Sequence, residues 1–231
     1  MRLILLTILY VLPLAAATRQ FSSGEHRTHL LELFSSEGCS SCPPAEAWLG
    51  GLRTAPSLWR DFVPVAFHVA YWDLLGWRDR FATREFTARQ YAYASVWGGD
   101  SVYTPAFVLD GTEWRYSAEG PGQSAERVGV LSVEYSAEGI CRVKFAGEGE
   151  VHAAILGGGI VSPVRAGENA GRTLNHEFVA LSLTNGPLVS GVAEIKLPVP
   201  AVPGVSRHAL AVWVTRGAGL TPVQATGGWL D

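Results

Sequence analysis

A pair of cysteines at C-x-x-C spacing is the feature that most constrains this chain. Cys39 and Cys42 lie in the sequence SSEGCSSCPPA at residues 35–45. The mostly apolar residues 29–34 before the pair predict a buried strand. After the pair, apolar side chains recur along one face of a predicted helix, at Ala45, Trp48, Leu49 and Leu52. The unpaired N–H groups and positive dipole end of a helix N-terminus lower the pKa of a thiol, so the pattern indicates a redox-active dithiol with Cys39 more exposed.

Three other interpretations of the pair stay open. A structural zinc site needs four ligands, but the chain has one further cysteine, Cys141, and its six histidines show no ligand spacing. A structural disulfide forms readily over so short a loop in an oxidising compartment. A Cu(I) site is the third, because soft thiolates select that ion. We predict the redox dithiol, with no resident metal.

The first 17 residues are typical of a secretory signal peptide. Arg2 precedes an apolar run at residues 3–14, and three alanines follow at residues 15–17. The run is shorter than the ~20 apolar residues of a membrane-spanning helix. An uncleaved N-terminal anchor is the alternative. We expect cleavage, a periplasmic or extracellular location without stable membrane insertion, and therefore a compartment in which disulfides persist.

The charge of the chain argues against a nucleic-acid partner. Its 231 residues carry a formal net charge of −3, and the basic residues are scattered along the sequence. Binding to nucleic acid or to an anionic surface calls for clustered positive charge. Nothing in the composition predicts an oligomeric state.

The first half of the chain has the element order of a thioredoxin core. Residues 62–69 predict a second buried strand, parallel to the first through a right-handed crossover. Thr83 is placed to cap a second helix. Residues 102–109 and 112–116 flank Asp110 and Gly111, a strong signal for a tight hairpin. We therefore predict an α/β thioredoxin-like domain over residues 27–120.

Thr104 and Pro105 lie in the strand before this hairpin, where a proline is ordinarily disfavoured. Thioredoxin-like proteins place a cis-proline opposite their C-x-x-C pair just before the hairpin. That resemblance predicts a cis Thr104–Pro105 bond whose backbone edge orients a partner's disulfide.

The second half changes to short strands punctuated by turn residues. The spacing predicts an antiparallel β-sandwich-like domain over residues 128–231. Cys141 lies in one of these strands, so we expect a buried, inert thiol. The connection at residues 157–175 is long, which is typical either of a functional loop or of a flexible surface loop.

Four stretches carry a resemblance to a known family. They are ELFSSEGCSSCPPAEAWL, AFHVAYWDLLGWRDRFATREFTARQYAYA, VYTPAFVLDG and GENAGRTLNHEFV, between residues 31 and 179. With them the chain resembles the exported, thioredoxin-like family known as domain of unknown function 1223. The resemblance implies a thioredoxin fold followed by a β-rich domain, and it supplies no established substrate.

The chain also departs from these patterns. Thioredoxins carry a buried aspartate at the position of Leu33, and strand alternation points the adjacent Glu32 to the opposite face. Family members often have aspartate at the position of Ala70, so any role of that acid is absent or passes to Asp73. Residues 117–127 leave little room for a closing helix.

Four further side chains are candidates for the rim of the dithiol site or for proton transfer: Glu37, His68, Trp72 and Asp73. The last three follow the C-terminal end of the second parallel strand, the end at which α/β proteins bind ligands. The alternatives are a packed histidine, an aromatic cover for the core and, for Glu37, a solvated loop residue.

The sequence thus predicts an exported thiol–disulfide oxidoreductase that acts on protein thiols or disulfides by mixed-disulfide exchange. Cys39 is the attacking thiol, Cys42 the resolving thiol, and no organic cofactor is implied. One alternative is a Cu(I)-binding metallochaperone that uses Cys39, Cys42 and His68. Another is a non-catalytic binding module.

Overall fold

The computed structural model describes residues 18–116, 120–217 and 219–231; the predicted signal peptide, residues 1–17, lies outside these ranges. The two α-helices of the described chain are α1 (Pro43–Gly51) and α2 (Arg84–Val96). Short 3-10 helices span Leu52–Thr54 and Ala70–Leu75. The strands are β1 (Arg19–Ser22), β2 (His29–Ser35), β3 (Phe62–His68), β4 (Ala106–Leu109), β5 (Thr112–Trp114), β6 (Ser132–Tyr135), β7 (Ile140–Lys144), β8 (Gly149–Gly158), β9 (Ile160–Pro163), β10 (Thr173–His176), β11 (Val179–Leu188), β12 (Val192–Lys196), β13 (Arg207–Thr215) and β14 (Pro222–Trp229).

The strands form three sheets. The largest is mixed and has eight strands in the order β14-β13-β8-β11-β3-β2-β4-β5. In it, β3 is parallel to both β2 and β11, and the other neighbours are antiparallel. A four-stranded sheet has the order β1-β6-β7-β12, and β9 pairs with β10.

The predicted fold class, an α/β thioredoxin-like domain followed by an antiparallel β-sandwich-like domain, is wrong. The described chain is mostly strand, and strands from both predicted segments share the eight-stranded sheet. The junction is the pairing of β11 with β3, where Val179 lies opposite Ala66. An unpaired edge of β3 would expose backbone N–H and C=O groups, and at this point the Ala66 N–H donates a 2.8 Å hydrogen bond to the Phe178 carbonyl. Residues 27–120 and 128–231 are therefore continuous through one sheet.

Several local predictions are confirmed. The Thr83 side chain accepts a 3.0 Å hydrogen bond from Phe86 N and caps α2. Asp110 and Gly111 join β4 to β5, with Leu109 opposite Thr112. Both have positive φ, as a tight hairpin of this kind requires.

The core lies on both faces of the large sheet. Alternate residues of β8 and β13 point to opposite faces, because side chains alternate along a strand. One set packs against the four-stranded sheet and includes Val151, Ala153, Ile155, Leu210 and Val212. The other set packs in the cluster that includes residues of α1 and α2. Within the described part of the chain, no helix combines the length and apolar character needed to cross a bilayer.

Candidate functional site

The two cysteines form a disulfide at the start of α1. Cys42 is the N-cap residue of the helix, and Cys39 lies in the turn before it, with Cα atoms 5.4 Å apart. The Cys42 N–H donates a 3.2 Å hydrogen bond to the Cys39 carbonyl and closes this turn. Cys42 therefore lies at the N-cap, and Cys39 lies outside the helix.

The helix N-terminus offers the sulfurs fewer donors than expected. Pro43 and Pro44 are tolerated there because the first turn needs no intrahelical N–H bonds, but they also have no N–H to give. The next two N–H groups, of Ala45 and Glu46, donate to the carbonyl of Cys42 at 3.0 and 3.1 Å. Any stabilisation of a thiolate therefore rests on the helix dipole and on neighbouring side chains.

Ser41 links the outer sulfur to the predicted proline strand. Its hydroxyl oxygen lies 3.4 Å from Cys39 Sγ and 3.4 Å from the carbonyl oxygen of Thr104. The Thr104–Pro105 bond is cis, which confirms that prediction. The indole N–H of Trp72 donates a 2.8 Å hydrogen bond to Thr104 Oγ1. These five residues thus form one connected site.

Both sulfurs are covered. Cys39 and Cys42 are each 0% exposed, so the prediction of an exposed Cys39 is wrong for the disulfide form. The segment 157–175 contacts the backbone of the dithiol turn. The buried amide of Asn169 donates 2.9 Å hydrogen bonds to the carbonyls of Glu37 and Cys39. Glu168 accepts from the N–H and hydroxyl of Ser40.

Trp72 covers the turn from another side. A Cβ built on Gly38 would come within 3.0 Å of Trp72 Cβ, which is closer than real side chains pack. Glycine at this position therefore lets the tryptophan approach the backbone next to Cys39. This agrees with the predicted position of Trp72 at the rim of the dithiol site.

A buried cluster of charged side chains lies behind the dithiol turn. Each of its members is at most 7% exposed. They are Glu37, Glu46, His68, Asp79 and His176. His68 Nδ1 lies 2.6 Å from Asp79 Oδ2, and His176 Nδ1 bonds Glu46 Oε2. His68 Nε2 is 4.0 Å from Glu46 Oε1, and His176 Nε2 is 3.4 Å from Glu37 Oε1.

This cluster adjoins the cysteines through the backbone. The carbonyl of Glu37 shares the Asn169 amide with that of Cys39, and Glu46 N bonds the carbonyl of Cys42. The Ser35 hydroxyl at the end of β2 donates to Glu46 Oε1, and the indole N–H of Trp77 donates a 2.7 Å bond to Glu37 Oε2. The dithiol and the cluster therefore share β2 and α1.

The cluster is strongly charged. Burial by itself lowers the pKa of His176, but Glu46 and Glu37 outweigh it and raise that pKa to about 10. Burial likewise opposes protonation of His68, yet Asp79 and Glu46 raise its pKa. Burial raises the pKa of Asp79, whereas His68 and two backbone N–H groups bring it down to about 2. The carboxylates are thus ionised opposite imidazolium groups.

The other three candidates from the sequence are His68, Glu37 and Asp73. His68 is 0% exposed and faces the cluster, so the prediction that it lies at the rim is wrong. Glu37 is buried in the cluster as well and is not a solvated loop residue. Asp73 accepts a 3.0 Å hydrogen bond from Asp79 N and so holds the loop that carries the Asp79 carboxylate.

Sequence reasoning missed four residues of the site: Glu46, Asp79, Asn169 and His176. All four lie inside the stretches that carry the family resemblance. The family resemblance was therefore the available signal in the sequence. The four residues show no recognisable ligand spacing, because long segments of chain separate them.

The structure also places Cys141, the third cysteine of the chain. Cys141 is a free thiol that is 0% exposed, and burial raises its pKa to about 12.

His68, the third ligand of the copper alternative, belongs to a group of potential metal ligands with Glu46 and His176. Neither Cys39 nor Cys42 is part of that group.

The chain belongs to a family of proteins of unknown function, DUF1223, whose model matches residues 30–215. The predicted family membership is confirmed. A comparison with curated proteins gave no significant match.

Two solved structures are similar to this one. The crystal structure of protein AGR_C_4864 from Agrobacterium tumefaciens has a TM-score of 0.61 and 25% sequence identity, over 90% of this chain and 95% of that chain. HBP35 of Porphyromonas gingivalis has a TM-score of 0.57 and 12% identity, over 90% of this chain and 77% of that chain. The second likeness concerns the fold alone.

Proposed function

We propose that this protein is a thiol–disulfide oxidoreductase whose redox group is the Cys39–Cys42 pair. The observation that carries the proposal is the position of Ser41 between Cys39 Sγ and the Thr104 carbonyl, at 3.4 Å from each. A hydroxyl at this position can donate to a Cys39 thiolate. The backbone edge at Thr104 can then lie beside an extended segment of a partner protein.

The exchange runs through a mixed disulfide. In the reducing direction, the Cys39 thiolate attacks a partner disulfide, an S–S bond forms, and one partner thiolate leaves and takes up a proton. Cys42, after loss of its proton, attacks the Cys39 sulfur and releases the second partner thiol. The partner gains two electrons and the Cys39–Cys42 disulfide is restored; the oxidising direction is the reverse.

Exposed apolar side chains beside the site suit a protein partner. Leu74 is 89% exposed and follows Trp72 by two residues; Leu75 is 57% exposed, and Tyr103 next to Thr104 is 53% exposed. The indole of Trp72 and the hydroxyl of Thr104 join these two loops. Large exposed apolar side chains that flank a site are typical of protein-binding surfaces.

Export is part of the proposal. The signal-peptide pattern at residues 1–17 supports delivery to a compartment in which a disulfide such as Cys39–Cys42 persists. Fractionation of cells that express the full chain tests this part. Periplasmic or extracellular recovery of a chain shortened at its N-terminus supports export, and cytosolic recovery of the full-length chain contradicts it.

Trapping tests the exchange chemistry. With Cys42→Ser, Cys39 can attack but resolution is blocked, so mixed disulfides with partner proteins or small thiols should accumulate. Cys39→Ser should give none, and Cys141→Ser, the matched control with Cys39 and Cys42 intact, should behave as the unmodified protein. Equal failure of both active-site variants to trap, under conditions that reduce the pair, would reject the proposal.

Burial of both sulfurs favours a second candidate, a non-catalytic binding module in which the disulfide is structural. In that case reduction of the pair should lower the melting temperature substantially, and neither variant should trap a partner. A redox-active pair should instead equilibrate with glutathione buffers while the protein stays folded.

A further inference from the structure

We propose that Glu46, His68 and His176 form a binding site for a divalent transition-metal ion, with Zn²⁺ as its representative. One potential ligand atom from each of these buried side chains lies within 4.8 Å of the other two. Two imidazoles and a carboxylate are a ligand set that Zn²⁺ accepts readily. The site does not use the cysteines, so it is independent of the thiol chemistry proposed above.

The two carboxylate oxygens of Glu46 face the two histidines. Glu46 Oε1 lies 4.0 Å from His68 Nε2, and Glu46 Oε2 is hydrogen-bonded to His176 Nδ1. Two ligands that each lie about 2.0–2.2 Å from a zinc ion are at most roughly 4 Å apart. The separation of His68 from Glu46 is therefore at the upper end of the range for two ligands. The spread of up to 4.8 Å among the three ligand atoms exceeds that range, so metal binding requires the two histidines to move inward. A cation that binds here replaces the proton shared by His176 and Glu46.

An unpartnered nitrogen points to a ligand. His68 Nε2 is completely buried and has no hydrogen-bond partner among the described residues. A buried polar atom without a partner costs free energy, and it is rare in folded proteins. This nitrogen lies on the Glu46 side of the cluster, and a metal ion that displaces its proton would satisfy it.

The outer nitrogens of both histidines face carboxylates, as in many metal sites, and that of His68 is hydrogen-bonded to its carboxylate. Asp79 Oδ2 lies 2.6 Å from His68 Nδ1, and Glu37 Oε1 lies 3.4 Å from His176 Nε2. Such a carboxylate fixes the ring orientation and makes the opposite nitrogen a better ligand. Asp79 is itself fixed by the backbone N–H groups of Glu37 and Phe81, at 2.8 and 2.9 Å.

The charge balance of the cluster and its closeness to the surface also fit a cation. Three carboxylates, those of Glu37, Glu46 and Asp79, surround the two imidazoles. A divalent ion with neutral imidazoles offsets most of that negative charge. A surface pocket between α1 and β10 includes Glu46 in its lining, so the ligand set lies close to the surface on this side. Three protein ligands leave one position of a tetrahedral ion for water or a substrate atom.

Zinc titration of the oxidised protein tests the site. Calorimetry on the disulfide form should give one Zn²⁺ per chain, and bound Zn²⁺ should raise the melting temperature. His68→Gln and His176→Gln should each weaken binding by at least about 100-fold, and Asp79→Asn by about 10- to 100-fold. The exposed His26→Gln is the matched control and should bind as the unmodified protein does. Absence of stoichiometric binding, or unchanged affinity in the folded His68→Gln and His176→Gln variants, overturns the proposal.

Cobalt spectroscopy keeps the test decisive if a variant does not fold. Co²⁺ bound to the unmodified, oxidised protein should give visible d–d bands of a nitrogen- and oxygen-ligated ion, without thiolate-to-cobalt charge-transfer bands. A Cys39→Ser/Cys42→Ser double variant should give the same spectrum. Charge-transfer bands in the oxidised protein, or loss of binding in the double variant while it remains folded, would assign the metal to the sulfurs and overturn the proposal.

Discussion

The side-chain amide of Asn169 donates a 2.9 Å hydrogen bond to the carbonyl oxygen of Cys39, across 130 residues of sequence. The same amide nitrogen bonds the carbonyl of Glu37, and Arg172 donates to the Asn169 side-chain oxygen at 2.9 Å. A fully buried amide that makes all of these bonds fixes the segment 157–175 on the dithiol turn. We therefore expect release of this contact to increase access to the sulfurs.

Asn169→Ala should make the disulfide easier to reach. Loss of the buried hydrogen bonds removes about 1–2 kcal/mol from the closed state, which shifts the opening equilibrium by roughly 5- to 30-fold. The rate of reduction by a small thiol should rise by a similar factor. Asn175→Ala, at an exposed position of β10, is the control and should leave the rate unchanged. A rate that Asn169→Ala does not change would mean that another element limits access.

Ser41→Ala should make the Cys39 thiol less acidic. The hydroxyl is 3.4 Å from Cys39 Sγ, and the adjacent prolines provide no N–H groups to take its place. Loss of one donor to a thiolate disfavours the charged form, so the thiol pKa rises. The pH dependence of alkylation of the reduced protein measures this shift. Ser41→Thr keeps a hydroxyl and should restore the original profile; equal profiles for all three proteins would exclude the role of Ser41.

The sequence predicted the local pieces of the fold better than their assembly. The C-x-x-C pair, the Thr83 cap, the Asp110–Gly111 turn and the cis Thr104–Pro105 bond are set by short-range residue chemistry. The parallel pairing of β11 with β3 joins distant residues, and neither strand carries a signal for its neighbour. Alternation and turn residues define strands, but they do not define which edges meet.

The candidate site likewise has residues that the sequence predicted and residues that it did not. Cys39, Cys42, Trp72 and Thr104 were predictable from spacing and strand order. The charged cluster was not, because His176 and Glu46 meet only through the fold, and an isolated buried histidine in a sequence is more often a packing residue. The contact of Asn169 with the Cys39 carbonyl is likewise visible only in the tertiary structure.

Cys141 should be unreactive in the folded protein. The thiol is completely buried, and burial raises its pKa to about 12, so almost no thiolate exists near neutral pH. After mild reduction, a thiol reagent should modify Cys39 and Cys42 in the native state and Cys141 only after denaturation. Mass spectrometry of the alkylated chain measures this order. Native modification of Cys141 at a rate similar to that of Cys39 would contradict the prediction.

Stability should fall as the pH drops through the range in which His152 titrates. Burial, with a contribution from Arg89, lowers the folded-state pKa of His152 from 6.5 to about 4. The unfolded chain then binds a proton more readily than the folded protein between these values. The stability contributed by the neutral imidazole is present above about pH 6.5 and is lost as the pH falls towards 4, by about 2–4 kcal/mol.

Urea denaturation at several pH values measures this loss. His152→Gln should flatten the difference between neutral and mildly acidic pH, because the variant has no group that protonates on unfolding in this range. His26→Gln, at an exposed position, should keep the full slope. An identical pH dependence in the unmodified protein and His152→Gln would assign the acid sensitivity to other groups.

Glu32 and Arg89 should show strong energetic coupling. Strand alternation predicts Glu32 on the face opposite to Leu33, and there it forms a buried ion pair with Arg89 Nε at 2.6 Å. Arg89→Leu leaves the Glu32 carboxylate buried and unpaired, which should cost about 3–5 kcal/mol. Glu32→Leu leaves Arg89 unpaired in the same way. In the double variant neither charge of this pair remains, so its loss of stability should be smaller than the sum of the two single losses by well over 1 kcal/mol. A double-mutant cycle from urea denaturation measures this difference, and additive losses would show that the pair is not coupled.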